Sequence, residues 1–284
     1  MTLPATAAGR FTFSGTDLSV NRMGYGAMQL AGPHVMGPPK DPEEALAVLR
    51  EALALGIDHI DTSDFYGPHI TNKIIREALH PYPDTLVLVT KIGAWRDDSG
   101  GWNLRRDDAF LRQSVEDNLA NLGLERIDIV NLRMESPEDD IATPMRTMRA
   151  LQDEGLIGHI GVSTVTAEQV SIARDIAPVV CVQNHYNLAH RDDDALIDSL
   201  AQDGIAYVPY FPLGGFSPLQ SATLDAVAAS MGTSPQKVAL AWLLARSQNI
   251  LVIPGTSGRA HLRENIDAAA LVLDPEHMAQ LDAI

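Results

Sequence analysis

The feature that most constrains this chain is an alternation of strand and helix patterns that starts near residue 43 and continues to the C-terminus. Asp41-Pro42-Glu43-Glu44 marks the first helix start: Asp41 can cap, Pro42 suits the first turn, and Glu44 stands where it would complete a capping box. Ala45, Val48, Leu49, Ala52 and Leu53 then keep helical spacing until Gly56, and the strand HIDT follows. TLVLVTKIG precedes the helical DDAFLRQSVEDNLANLG, and RIDIVNLRM precedes MRTMRALQDEG. The unit returns as HIGVST with TAEQVSIARDI, VVCVQNHYN with DDALIDSLAQDG, IAYVPYF with PQKVALAWLLARS, and ILVIPGT with RAHLRENIDAA. With a strand at 23–28, this makes about eight βα units, whose unbroken apolar strands suit parallel strands buried on both faces. The pattern predicts one TIM (β/α)8 barrel domain over residues 1–284. FTFSGTDLSV adds an N-terminal β-hairpin, turning at Ser14-Gly15 and placed to cover the barrel floor.

Composition limits the partners. The net charge of −16 argues against nucleic acid and against an anionic membrane surface, both of which need surplus Lys and Arg. A phosphorylated ligand would have to meet basic groups gathered locally. The single cysteine, Cys181, cannot form an internal disulfide, and within PVVCVQ it reads as a small buried hydrophobe. The N-terminus lacks an apolar signal core, and no apolar run approaches the ~18 residues of a membrane span. The expectation is a cytoplasmic protein, monomeric or weakly oligomeric, that acts on a small molecule.

In such a barrel, chemistry gathers at the C-terminal ends of the strands. Asp61, Tyr66, Lys91, Arg133, Ser163, Thr164, Gln183, Asn184, Tyr210 and Gly255-Thr256-Ser257 all fall there and are expected to ring one mouth. Asp61 with Lys91 is open to two readings, a structural ion pair or a catalytic one. Asp58 and Asp64 read as solvated loop charges or caps, with no catalytic part. No GxGxxG follows a strand and no Walker loop is present, which excludes those nucleotide sites as far as motifs allow.

HIDTSDFYG, TKIG, GVST and QNHYN fall in that order on successive expected strands, and over essentially its whole length the chain resembles the aldo-keto reductases. NRMGYGAMQLAGP, VNLR, CVQNHYNLAHR, YFPLGGFSPLQ and IPGTSGRAHLRENI make it most similar to a bacterial branch resembling pyridoxal reductases. The resemblance implies NADPH-dependent reduction of an aldehyde or ketone, with pyridoxal the favoured substrate. It implies that Tyr66 gives its phenolic proton to the carbonyl oxygen, that Lys91 eases that transfer, and that Asp61 is the counter-charge of Lys91. For the cofactor it implies Ser163, Thr164 and Gln183 at the carboxamide, Tyr210 stacked on the nicotinamide, and Leu213, Gly214 and Gly215 at the pyrophosphate. Gly255, Thr256, Ser257, Arg259 and His261 would lie at the 2′-phosphate, and Glu264 and Asn265 at the adenine.

The chain departs from the family pattern at four of these positions. Arg133 stands where a catalytic histidine is usual, Thr164 where asparagine is usual, Gly255 where lysine is frequent and His261 where arginine is frequent. Arg133 is open to two roles: a fork gripping the carbonyl oxygen and a neighbouring anion, or a charge partner of Glu135 or Asp61. Met28, Trp95 and Trp102 follow strands and are candidates for the substrate mouth. DPEHMAQLDAI ends soon after the last helix, so an open pocket is expected. A general aldehyde reductase, a non-catalytic nicotinamide-binding sensor and a Schiff-base lyase using Lys91 remain the alternatives.

Overall fold

The computed structural model describes residues 4–215 and 219–284; Phe216, Ser217 and Pro218 of the YFPLGGFSPLQ motif lie outside it. The strands are β1 (Arg10–Thr12), β2 (Ser19–Asn21), β3 (Tyr25–Gly26), β4 (His59–Asp61), β5 (Val87–Ile92), β6 (Ala94–Arg96), β7 (Trp102–Leu104), β8 (Ile127–Arg133), β9 (Ile157–Ser163), β10 (Val179–Gln183) and β11 (Ala206–Tyr207). The helices are α1 (Pro42–Ala54), α2 (Thr71–Leu79), α3 (Asp108–Leu122), α4 (Ala142–Asp153), α5 (Ala167–Ile176), α6 (Asp194–Gln202), α7 (Ala222–Ser230), α8 (Pro235–Arg246), α9 (Arg259–Asp267) and α10 (Pro275–Asp282).

A parallel sheet runs in the order β11-β10-β9-β8-β5-β4-β3. Its two edges meet on residues 249–253. Val252 bridges in parallel to Met23 and Ile250 to Tyr207, while Gly24 N–H donates to the Val252 carbonyl at 2.8 Å and Leu251 N–H to the Tyr207 carbonyl at 2.9 Å. Closure leaves no parallel edge unpaired, and the fold is the expected TIM-like barrel with helices outside. Val87, Val89, Ile129, Val180, Ala206, Val208, Leu251 and Ile253 form the apolar cluster inside it. The β1–β2 hairpin closes the floor by adding Phe13 and Val20 to that cluster.

Glycines make room for the polar groups in this interior. A Cβ at Gly24 would lie 2.1 Å from His59 Nε2, and one at Gly161 would lie 2.0 Å from Asn131 Oδ1. His59 is fully enclosed, and burial pulls its imidazole down to about 4, so it is neutral. The Cys181 thiol donates to Asn131 Oδ1 at 3.1 Å, and burial pushes it up to about 12, in keeping with an inert core cysteine.

Three local outcomes differ from the sequence reading. Asp41 caps α1 by accepting from Glu44 N–H at 3.0 Å, but the Glu44 carboxylate does not turn back to complete the capping box. It accepts instead from the Arg259 backbone N–H at 3.0 Å, at the start of α9. Three helices are unforeseen: α2 after β4, α7 between the β11 strand and α8, and α10, formed by the DPEHMAQLDAI segment expected to lie beyond the last helix. Residues 94–104, where Trp95 and Trp102 are expected only to follow a strand, form the β6–β7 hairpin. Its turn is organised by Asp97, whose carboxylate accepts from Ser99 N–H, Gly101 N–H and Asn103 Nδ2. Hydrogen bonds from Ser99, Asn103 and Gly101 hold that carboxyl far below the usual range.

Candidate active site

Parallel pairing of β4 with β5 sets Asp61 opposite Val89, so Lys91 lies one pleat nearer the mouth on the same inward face. Lys91 Nζ donates to Asp61 Oδ1 at 2.5 Å and to the Thr62 carbonyl at 3.1 Å. Gln183 Nε2, from β10, donates to the second Asp61 oxygen at 2.9 Å. Both charged side chains are only 5% exposed, so each depends on these partners; an unpaired charge there would be strongly destabilising. The Lys91 ammonium lies 5.4 Å from the centre of the Tyr66 ring. Burial alone would lower the Lys91 pKa, but attraction and hydrogen bonding from Asp61 and Tyr66 outweigh it and raise the net value. Lys91 is therefore a cation at neutral pH.

These groups open onto a cavity of about 390 Å³, lined among others by Met28, Asp61, Tyr66, Lys91, Trp102, Arg133, Ser163, Gln183, Tyr210 and Leu213. Arg133 ends β8 beside Ser163 of β9. Its guanidinium lies 5.6 Å from the Phe65 ring centre and 5.9 Å from that of Trp102. Asp61 is taken by Lys91 and Gln183, and among the described residues Arg133 has no carboxylate partner, Glu135 included. The charge-partner reading of Arg133 fails on this geometry.

Of the two hairpin tryptophans, Trp102 lines the cavity and Trp95 does not. Trp95 pairs with Asn103, whereas Trp102 pairs with Arg96 and lies under its guanidinium, 4.1 Å from the ring centre; both rings are partly exposed, at 41% and 44%. Cross-strand partners share a face and neighbouring residues of a strand face opposite ways, so the hairpin register puts Trp102 on the cavity side and Trp95 on the other face. Phe65, not singled out in the sequence, meets Trp102 edge to face at 5.3 Å and Tyr66 at 5.2 Å.

On the other side of the cavity, Gln183 Oε1 is buried without a hydrogen-bond partner. Ser163 Oγ is 3.5 Å from Thr164 Oγ1, and Thr164 holds a left-handed φ of 58°. Tyr210 is offset-stacked on His185 with ring centres 5.5 Å apart. Gly214 and Gly215 both have positive φ, and a Cβ at Gly215 would meet the Phe211 ring at 2.5 Å.

The absent lysine at position 255 has a cause: a Cβ on Gly255 would lie 2.7 Å from the Gly26 carbonyl oxygen, so two backbones are pressed together there. Thr256 Oγ1 accepts from Gly258 N–H at 3.2 Å, and Ser257 sits in the same loop. His261 is 76% exposed and lies 3.6 Å from Glu264, while Asn265 is buried. Arg259 is not free: its Nε is 3.0 Å from Glu44 Oε2, which also receives Nη2. The structure thus gives Arg259 to a helix–helix contact, a pairing across the sequence that the local motif did not reveal.

Asp64 also departs from the sequence reading. It is buried, accepts from Asn72 and Asn121, and is paired with His69. Asp58 is largely buried as well, bonded by Asn21 N–H and Arg10.

Comparison with known proteins agrees with this layout. Residues 22–284 match the model of the aldo/keto reductase family. Pyridoxine 4-dehydrogenase of Escherichia coli (strain K12) is 60% identical over 279 residues, 96% of this chain and 98% of that protein. An uncharacterized oxidoreductase of Schizosaccharomyces pombe is 39% identical, covering 94% of this chain and 87% of its own. Among solved structures, a thermostable aldo-keto reductase in complex with the inhibitor epalrestat superposes with a TM-score of 0.83 at 28% identity, over 96% of this chain and 98% of its own. The closed barrel, the buried Asp61–Lys91 pair beside Tyr66 and these matches lead to one conclusion: the chain belongs to the aldo/keto reductase family.

Proposed function

We propose that this enzyme reduces pyridoxal to pyridoxine with NADPH, and plain aldehydes as a wider class. A dehydrogenase of pyridoxine and a reductase of pyridoxal run one reaction in two directions, and the 60% identical relative bears the first name. The observation that carries the substrate reading is the Arg133 guanidinium, held at the cavity wall beside the Phe65 and Trp102 rings without a carboxylate partner among the described residues. Pyridoxal presents an aldehyde oxygen next to an acidic phenol oxygen, a pair that matches the planar fork of arginine.

The residues present fit a nicotinamide. Gln183 Oε1 is a buried acceptor awaiting a donor, as a carboxamide N–H would be, and Ser163 and Tyr210 line the same wall. Leu213, Gly214 and Gly215 would face the pyrophosphate, and Thr256, Ser257 and His261 the 2′-phosphate, with Glu264 and Asn265 at the adenine. Bound NADPH supplies a hydride to the carbonyl carbon. Tyr66 gives its phenolic proton to the carbonyl oxygen, so the aldehyde gains one hydride on carbon and one proton on oxygen. Lys91 stabilises the charge left on the phenol, Asp61 balances Lys91, and solvent restores the proton. The Schiff-base alternative is disfavoured: an amine nucleophile must be neutral, whereas Lys91 is held cationic by Asp61. No helix among the described residues is long and apolar enough to cross a membrane, and we place the enzyme in the cytoplasm as a monomer or weak oligomer.

The test is kcat/KM for pyridoxal and for a pyridine aldehyde lacking the neighbouring hydroxyl. The wild type should favour pyridoxal. Arg133→His should lose that preference while keeping activity on the plain aldehyde, and Arg133→Lys should not restore it, since an ammonium lacks the two-point fork. An unchanged substrate ratio across the series would remove pyridoxal recognition from Arg133.

A further inference from the structure

A second polar network lies behind the site, on the outer side of the strands that carry it. Thr62 and Thr90 adjoin Asp61 and Lys91 in sequence and face the other way. Thr62 Oγ1 donates to Asn72 Oδ1 at 2.8 Å, and Thr90 Oγ1 donates to Asn118 Oδ1 at 2.6 Å. Asn72 Nδ2 links the two arms, reaching Asn118 Oδ1 at 2.8 Å and Asp64 Oδ1 at 3.2 Å. Asn121 Nδ2 donates to the same Asp64 oxygen at 2.9 Å. His69 Nδ1 is 2.5 Å from Asp64 Oδ2, and His69 N–H donates to the Asp64 carbonyl at 2.7 Å. Residues 64–69 are thereby closed into a loop, and Tyr66 is inside it.

This network does not line the catalytic cavity, so it has no direct part in binding. Its connections are nevertheless with the reacting groups. The Thr62 carbonyl accepts from Lys91 Nζ, and the loop closed by Asp64 and His69 carries the phenol. The loop also contains a left-handed residue, His69 with φ 59°, a conformation that histidine and asparagine adopt more readily than most side chains. Burying a carboxylate and two asparagines, Asn72 and Asn118, is costly unless every partner is placed, and the arrangement fixes what it touches to one geometry.

We propose that Asp64 and His69 are positioning residues for Tyr66: their pair holds the loop so that the phenol stays in line with Lys91, and the proton on His69 tightens that hold. The proposal rests on the reading of Tyr66 as proton donor.

The charged groups facing His69 are Asp64 from its own loop, Lys73 from α2 and Asp117 from α3. The hydrogen bond to Asp64 raises the imidazole above its ordinary value and burial opposes it; attraction to Asp64 and Asp117 adds to the rise and Lys73 subtracts. A raised value means that the charged pair is complete below the ordinary histidine range and is lost as pH climbs through the raised one. Above that point the imidazole keeps its N–H bond to Asp64 but not its charge, and the loop loosens.

The experiment is the pH profile of kcat for reduction, with NADPH dissociation constants and melting temperatures measured alongside. Wild type should show a fall as pH rises through the raised His69 range. His69→Asn retains an N–H donor and tolerance of positive φ but cannot titrate, so it should lose that fall and leave NADPH affinity unchanged. Asp64→Asn should lower kcat about tenfold with little change in KM, the size expected when a reacting group is misplaced by a fraction of an ångström. Profiles that superimpose on wild type, or losses that merely follow melting temperature, would overturn the proposal. Should Asp64→Asn not fold, the half-exposed His69 variant decides alone. Tyr66→Phe serves as the control: if it remains active, the donor assignment fails; if it is inactive while both network variants behave as wild type, only the positioning role fails.

Discussion

At Thr164 the backbone asks for a residue the sequence does not supply. Its φ of 58° suits asparagine and is strained for a β-branched side chain. Thr164→Asn should therefore raise stability by about 1 kcal/mol, measured by denaturant unfolding, and tighten NADPH binding by restoring an amide next to Ser163. A loss of stability would show that the threonine methyl is worth more in packing than the strain it causes. Gly255 is the opposite case. The absence of the usual lysine was plain in the sequence, but its cause was not, because the obstruction is the Gly26 backbone more than two hundred residues away. Asp61, Tyr66 and Lys91 were legible because each ends or follows a strand of recognisable pattern. Asp64 was misread since a loop aspartate is ordinarily solvated, and only the fold brings Asn72 and Asn121 over it.

At the scale of elements, the barrel strands and most helices could be read from periodicity and caps, including the stop of α3 at Gly123, which has a φ of 72°. The β6–β7 hairpin could not: its strands are three residues each, too short for a period to declare itself. Its register decides which tryptophan lines the cavity. Asp97→Ala removes the acceptor that gathers the turn, so KM for aromatic aldehydes should rise severalfold while NADPH affinity is unaffected. Equal KM values in the two proteins would show that Trp102 is held in place without the turn. The contact of α1 with α9 yields another expectation. Because Glu44 already occupies Arg259, Arg259→Ala should weaken NADPH and NADH alike, through the helix start, where a phosphate reader would affect only NADPH. Fluorescence titration with both cofactors distinguishes the two.

The whole molecule carries a pH-sensitive group at its centre. His59 lies in the barrel interior with both ring nitrogens unpartnered, and its value falls from 6.5 to about 4 on folding. Between those values the unfolded chain binds the proton and the barrel does not, so stability is lost as pH falls through that window. The loss should amount to about 2–3 kcal/mol between pH 7 and 4.5, and His59→Leu should be spared that share in paired urea titrations. The barrel as a whole was foreseeable from its alternating units, and it explains why distant residues such as Asp61, Lys91 and Gln183 form one bonded group.

On the proposed mechanism, this group supports carbonyl reduction in which NADPH gives the hydride and Tyr66 the proton. The most direct measurement is the rate of NADPH consumption with pyridoxal in wild type and in Tyr66→Phe, with NADPH binding measured on both. The variant should bind NADPH as wild type does and be slower by roughly 10²–10⁴-fold. A Tyr66→Phe enzyme that turns over pyridoxal at the wild-type rate would contradict that mechanism.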